Sequence, residues 1–258
     1  MNSKRPLILV SNDDGIAAPG LHHLVRLMRE FGEVVVVAPD SPQSGMGHAI
    51  TVGDTLRLEK VNIFDDLVAY ECSGTPADCV KLAKHYVLKD RTPDLVVSGI
   101  NHGSNSSVSV LYSGTMSAAI EAAIEGLPAI GFSLCDYSHE ADFSHTFDWI
   151  RKIVRQALEQ GIPKHVALNV NFPHSKHAPL KGIRWCRQAK ARWQENFDER
   201  YDPTGRRYFW LVGDFINEDA GDDTDVWALE HGYVSIVPCK FDMTDYDALR
   251  SLRSWKLE

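Results

Sequence analysis

The residues best suited to chemistry stand together in Ser11-Asn12-Asp13-Asp14-Gly15, directly after the apolar run Leu7-Ile8-Leu9-Val10. Two adjacent carboxylates repel each other unless a proton or a cation sits between them. A hard divalent ion taking oxygen ligands meets that need. The same residues also make a good turn, and Asx side chains ahead of a helix serve as caps, so this stretch alone admits a purely structural reading. Two later loops supply further oxygen donors, Ser44 beside Gly45 in the loop 38–47, and Asn101 and Asn105 in the loop 99–107. Among these groups and Asn12, Asp13 and Asp14, two carboxylates, a hydroxyl and a carboxamide make an all-oxygen set for one divalent cation per subunit, Mg2+ or Mn2+, with positions left for water and a phosphate oxygen, while Asn12, Gly45 and Asn105 are candidates for holding the substrate.

Further along, Tyr112-Ser113-Gly114-Thr115 opens an alanine-rich segment. Unpaired N–H groups of Gly114 and Thr115 at a helix start would face an anion there. Ser113 suits phosphate binding better than attack, because no Gly-x-Ser-x-Gly elbow surrounds it. His22 and His23 lie about 100° apart on a helix and cannot share one metal. His102 sits in a site loop, where contact with substrate, proton donation and simple packing all remain open. Gly45-Met46-Gly47 lacks the third glycine of a dinucleotide loop, and no P-loop sequence occurs.

Those groups need a scaffold that brings their loops to one edge. Leu7–Val10, Val34–Val37 and Leu95–Ser98 are continuous apolar runs, which suits parallel strands covered on both faces. Between the first two, Leu21, Leu24, Val25, Met28 and Phe31 recur at helical spacing. Further strands are expected at 129–133 and 166–170, and helices at 76–87, 116–125 and 143–160. Alternation of strand and helix to about residue 172 predicts an α/β, doubly wound, mostly parallel Rossmann-like sheet, whose carboxyl edge binds ligands. Residues 49–72 alternate weakly and read as short strands or a hairpin away from the main sheet. Beyond Pro173 the texture changes. Ile183–Arg187 and Arg207–Val212, separated by the turn Asp202-Pro203-Thr204-Gly205, predict an antiparallel arm over 181–213 whose aromatics meet another subunit. A last strand at 232–238 and a terminal helix within 244–257 follow. The chain is thus expected as a core of 1–173 and an extension of 174–258 within one unit.

Composition limits the function classes. Apolar residues make up 44% and charged residues 24% of 258, as in ordinary globular proteins. No apolar run approaches a membrane span, and Met1–Pro6 leads into the first strand without an apolar signal segment, so a cytoplasmic protein with no membrane partner is expected. The net charge of −8 argues against binding a nucleic-acid duplex. Cys72, Cys79, Cys135, Cys186 and Cys239 are odd in number and contain no Cys-x-x-Cys pair, which disfavours disulfides and zinc.

The motifs also carry a resemblance. Ser-Asn-Asp-Asp-Gly at 11–15, Ala-Pro-Gly at 18–20, Val-Ala-Pro-Asp at 37–40 with Ser44-Gly45, Gly-Thr-Pro-Ala-Asp-Cys-Val at 74–80, Val-Ser-Gly-Ile-Asn-x-Gly-x-Asn at 97–105 and Tyr-Ser-Gly-Thr at 112–115 resemble the SurE family of 5′-nucleotidases. Asn169-Val170-Asn171-Phe172-Pro173 and Gly232-Tyr233-Val234-Ser235-Ile236 agree in outline. The resemblance implies a metal-dependent phosphomonoesterase acting on nucleoside 5′-monophosphates, with 3′-monophosphates and polyphosphate as further substrates. It implies Asp13, Asp14, Ser44 and Asn101 as metal ligands, and a homodimer or homotetramer that exchanges C-terminal elements. The chain departs from the family's commonest pattern at Ser106-Ser107-Val108-Ser109-Val110, where many members carry Gly and Asp. A catalytically silent nucleotide- or metal-binding module on the same fold is the alternative, since fold does not fix function.

Overall fold

A computed structural model describes residues 5–138 and 140–256; Met1–Lys4 and Leu257, which the sequence reading touched, lie outside them. Strand β1 (Leu7–Ser11) is buried along its whole length, with Ile8 and Val10 turned to one face of the sheet and Leu7 and Leu9 to the other. That two-sided burial is why the run shows no polar alternation. Beside it lie β2 (Glu33–Pro39) and β5 (Leu95–His102), both parallel to β1. The sheet continues through β6 (Ala129–Leu134) and β7 (Ala167–Phe172), again in parallel.

Helices cover both faces. On one, α1 (Pro19–Met28) and α4 (Phe147–Gln160) bury Leu21, Leu24, Val25, Ile150 and Val154 against Ile8, Val10 and Val97. Each such side chain contributes about 1.5–3 kcal/mol by leaving water. On the other face, α2 (Pro76–Leu82) and α3 (Gly114–Ile124) pack Cys79, Val80, Ala118 and Ala122 on Leu9, Val35 and Val96. Proline at the first helical position starts α1 and α2. Thr75 caps α2 as the sequence predicts, and Asp78 completes a capping box with it. A π-type turn over Ala83–Leu88 then continues this segment.

Two expectations are corrected by the topology. The segment 49–72 does not form a hairpin apart from the sheet, because β4 (Val68–Cys72) pairs in parallel with β2, and β3 (Leu58–Val61) adds antiparallel to β4 as the edge. Only Ala69 and Cys72 of β4 are buried, which explains the weak alternation. At the far edge β8 (Ile183–Trp185) pairs in parallel with β11 (Val234–Cys239), which runs antiparallel to β7. The stretch from Ile183 therefore belongs to the main sheet. The separate arm is a hairpin of β9 (Ala191–Tyr201) and β10 (Arg207–Asn217), paired from Ala191–Asn217 to Tyr201–Arg207. Its turn falls at the expected Asp202–Gly205, where Asp202 accepts from the N–H groups of Thr204 and Arg206. Helix α5 (Asp225–Glu230) precedes β11, and α6 (Tyr246–Leu252) ends the described chain without burying a residue.

Candidate active site

Strand β1 carries Asn12, Asp13 and Asp14 out of the sheet at its carboxyl edge. Asn12 donates from Nδ2 to the Gly15 carbonyl at 2.9 Å, which leaves its Oδ1 buried without a hydrogen-bond partner. Asp13 is buried and accepts from the Thr115 hydroxyl on Oδ1. Burial pushes its carboxyl up to about 6; the Thr115 bond pulls it down, and the neighbouring Asp14 charge adds to the rise. Oδ2 of Asp14 is likewise buried with no hydrogen-bond partner, its ionic neighbour being His102 Nδ1 at 3.7 Å. The His102 ring stands edge-on against Phe143, 5.0 Å between centroids.

The second loop is fastened to the first. The Gln43 N–H donates to the Asp13 carbonyl at 2.7 Å, and that of Gly47 to the Tyr112 carbonyl at 3.1 Å. His48 Nε2 lies 2.8 Å from Oε2 of Glu121, a buried α3 carboxylate that also receives Lys81 Nζ at 2.6 Å. Burial opposes its charge, but the bonds from His48 and Lys81 outweigh that and hold Glu121 below the usual carboxylate range. These ties set the exposed Ser44 and Gly45 over the site.

Strand β5 brings Asn101, whose Nδ2 donates to the Gly103 carbonyl at 2.9 Å, fixing the side-chain amide. Asn105 is fixed from behind: its N–H reaches Asn171 Oδ1 at 2.8 Å, its Nδ2 reaches Ser133 Oγ at 2.8 Å, and its carbonyl accepts from Asn169 Nδ2 at 2.8 Å. Opposite stands the start of α3. Ser113 is its cap, accepting from the Met116 N–H at 3.0 Å.

These elements enclose a cleft of about 200 Å³. Of the expected residues, Asp13, Ser44, Gly45, Asn101, Asn105 and Ser113 line it, while Asn12, Asp14, Gly114 and Thr115 are not on its wall. The Thr115 hydroxyl is engaged by Asp13 and that of Ser113 by the cap, so an anion at this helix end would meet chiefly N–H groups. Sequence reasoning missed Tyr137, which lines the cleft from the loop after β6, and gave Trp193 only to the arm, although it lines the cleft from the foot of the hairpin. It also missed the bracing of Asn105 by Asn169 and Asn171. Two asparagines at alternate positions of a fully buried strand were the available signal. A larger groove of about 760 Å³, between α3 and the chain after β11, is chiefly apolar and lined by residues such as Ile120, Phe241 and Met243. It holds no carboxylate pair.

Among the described residues no three His, Cys, Asp or Glu side chains gather as a metal cluster. A cation here would rest on two carboxylates and neutral oxygens. The donor set fits one: Asn12 Oδ1 and Asp14 Oδ2 are buried acceptors that make no hydrogen bond, Asp14 having only the His102 ring nitrogen at 3.7 Å, and such atoms are costly unless a further partner meets them.

Residues 8–195 match the family model described as survival protein SurE. A protein of Cytophaga hutchinsonii named 5′-nucleotidase SurE is 69% identical over 98% of this chain and 98% of its own. One of that name from Flavobacterium psychrophilum is 59% identical over 98% of each. Among solved structures, that of a SurE protein from Aquifex aeolicus superposes with a TM-score of 0.82 at 38% identity, covering 96% of this chain and 98% of the other.

Proposed function

Since this chain belongs to the SurE family, we propose that it is a 5′-nucleotidase, a phosphomonoesterase that hydrolyses nucleoside 5′-monophosphates to nucleoside and phosphate with one divalent cation, Mg2+ or Mn2+. One observation carries the metal dependence. At the sheet's carboxyl edge, where Asp13 and Asp14 stand side by side, two buried acceptor oxygens, Asn12 Oδ1 and Asp14 Oδ2, make no hydrogen bond.

Asp13, Asp14, Ser44 and Asn101 are the ligands in this reading, and Asp13, Asp14 and Asn101 the catalytic residues. When bound, the ion neutralises phosphate charge and polarises the phosphorus centre. The protein's own part is positioning. N–H groups at the start of α3 and at Gly45 hold phosphate oxygens in a chain whose net charge would otherwise repel them. Asn12, Gly45, Asn105, Ser113, Gly114 and Thr115 are the substrate-binding residues in this reading. 3′-Monophosphates and polyphosphate are the further substrates to try.

No helix among the described residues is long and apolar enough to cross a membrane, and a cytoplasmic enzyme is the reading we adopt. Phe197, Tyr201, Phe209 and Trp210 are exposed on the hairpin. So many exposed aromatics suit a partner surface, a homodimer or homotetramer of this chain.

Phosphate release from 5′-AMP, with and without chelator, tests the proposal. Loss on chelation and return with Mn2+ is expected. Nucleotide binding without phosphate release would instead favour the silent module on the same fold.

A further inference from the structure

The cleft beside Asp13 is too small for the substrate assigned to it. Its volume of about 200 Å³ lies below the roughly 300–1,000 Å³ of small-molecule sites, and its polar groups suit the phosphate. Gly45, Tyr112 and Trp193 on its wall also line a second groove of about 500 Å³, which runs past Glu195, Leu211 and Gly213 at the foot of the hairpin. The two spaces adjoin at these shared residues. Together they reach the size of a nucleotide site.

The foot of the hairpin is held as part of the site. Trp193 packs edge-on to Phe215, 5.4 Å between centroids, and its Nε1 reaches Ser109 Oγ at 3.3 Å. Buried Asp225 accepts from the N–H groups of Ser107 and Ala189, joining the site loop to the chain that enters β9. In the register of the hairpin Trp193 faces Phe215, and Glu195 faces Gly213. Gly213 faces Glu195 without a side chain of its own, so the two strands approach closely here, and both residues line the groove. A Cβ at Gly213 would also fall 2.5 Å from the Gln194 carbonyl oxygen.

We propose that this groove is the nucleobase subsite, in which the base stacks on Trp193 and Tyr112 and Glu195 favours guanine. The inference rests on the 5′-nucleotidase reading. Indole and phenol faces stack on any base. The Glu195 carboxylate accepts the paired N–H donors on the edge of guanine, whereas adenine offers a ring nitrogen acceptor at the matching position. No lysine or arginine lines the groove among the described residues, so a polyphosphate chain gains nothing there and meets the charge of Glu195.

The test is kcat/KM of the Mn2+-loaded enzyme for GMP, AMP and ribose 5-phosphate. GMP should exceed ribose 5-phosphate by about ten- to a hundredfold, the range of base–aromatic stacking. Trp193→Ala should collapse that ratio and Trp193→Phe should restore most of it, while Glu195→Gln should lower the GMP-to-AMP ratio several-fold. Ribose 5-phosphate turned over as well as GMP by the unaltered enzyme would overturn the subsite and leave the phosphatase standing. So would Trp193→Ala and Trp193→Phe lowering all three esters equally. Absence of phosphate release from every ester would overturn the nucleotidase reading and the subsite with it.

Discussion

Gly114 at the start of α3 lies so close to Asp13 at the end of β1 that an added Cβ would sit 2.6 Å from Asp13 Cβ and 2.9 Å from its Oδ2. The helix end can approach the carboxylate only because position 114 has no side chain. That approach brings the Thr115 hydroxyl onto Asp13 and sets free N–H groups beside the carboxylate pair. Gly114→Ala should therefore push α3 and Asp13 apart, cost about 1–3 kcal/mol of stability by overpacking, and lower kcat/KM more than tenfold. Thermal melts and phosphate release measured on one preparation check both. Unchanged turnover would show that the close approach is not needed.

Asp13→Asn should stabilise the metal-free protein while abolishing most activity. The Asp13 carboxyl stands at about 6 in the fold against an ordinary 3.8, so its ionisation penalises the folded state. The penalty is absent below the ordinary value, grows as pH rises between the two, and is complete above about 6. At pH 7.5 it amounts to about 3 kcal/mol. The variant keeps an amide oxygen to accept from Thr115, so its advantage over the unaltered protein should be largest at pH 7.5 and vanish near pH 4. Denaturant melts under chelator at both pH values measure it; an advantage independent of pH would contradict the account.

His48→Ala should loosen the loop that carries Ser44. The substitution removes one of the two basic partners of buried Glu121 and should cost about 1–2 kcal/mol, the scale of a charge-assisted hydrogen bond. Mn2+ affinity, read by calorimetry, should fall several-fold, and His48→Gln, whose amide still donates to Glu121, should recover much of it. Equal affinities in all three proteins would mean that the tether does not reach the metal site.

Replacing Phe197, Tyr201, Phe209 and Trp210 together with polar residues strips the exposed aromatics from the hairpin and leaves Trp193, Glu195, Leu211 and Gly213 beside the groove. Monomers by light scattering are expected, with nucleotide selectivity retained. An oligomer of unchanged mass would remove the partner role from these aromatics.

Much of the scaffold is legible from residue order because it depends on local chemistry. Leu7–Val10 and Val34–Val37 read as strands covered on both faces, and Thr75-Pro76-Ala77-Asp78 reads as a capped helix start. The carboxyl-edge loops follow from those assignments. Ile183–Trp185 was legible as a strand but not by its place. Whether a short aromatic run joins a distant edge or its neighbour in sequence is decided by pairing with Val234–Ile236, which no local pattern encodes. Trp193 is a similar case. Its type announced an exposed contact, while its reach to Ser109 depends on Asp225, remote in sequence, fastening the foot of the hairpin. The braces Asn169 and Asn171 left a trace, polar residues on a wholly buried strand, yet only the fold shows that they hold Asn105.

The most direct measurement is an anomalous difference map from a crystal soaked in Mn2+ and 5′-AMP. One manganese peak per subunit is expected within ligand distance of oxygens from Asp13, Asp14, Ser44 and Asn101, with the phosphate against the start of α3. A peak elsewhere, or none in crystals of protein that releases phosphate under Mn2+, would contradict it.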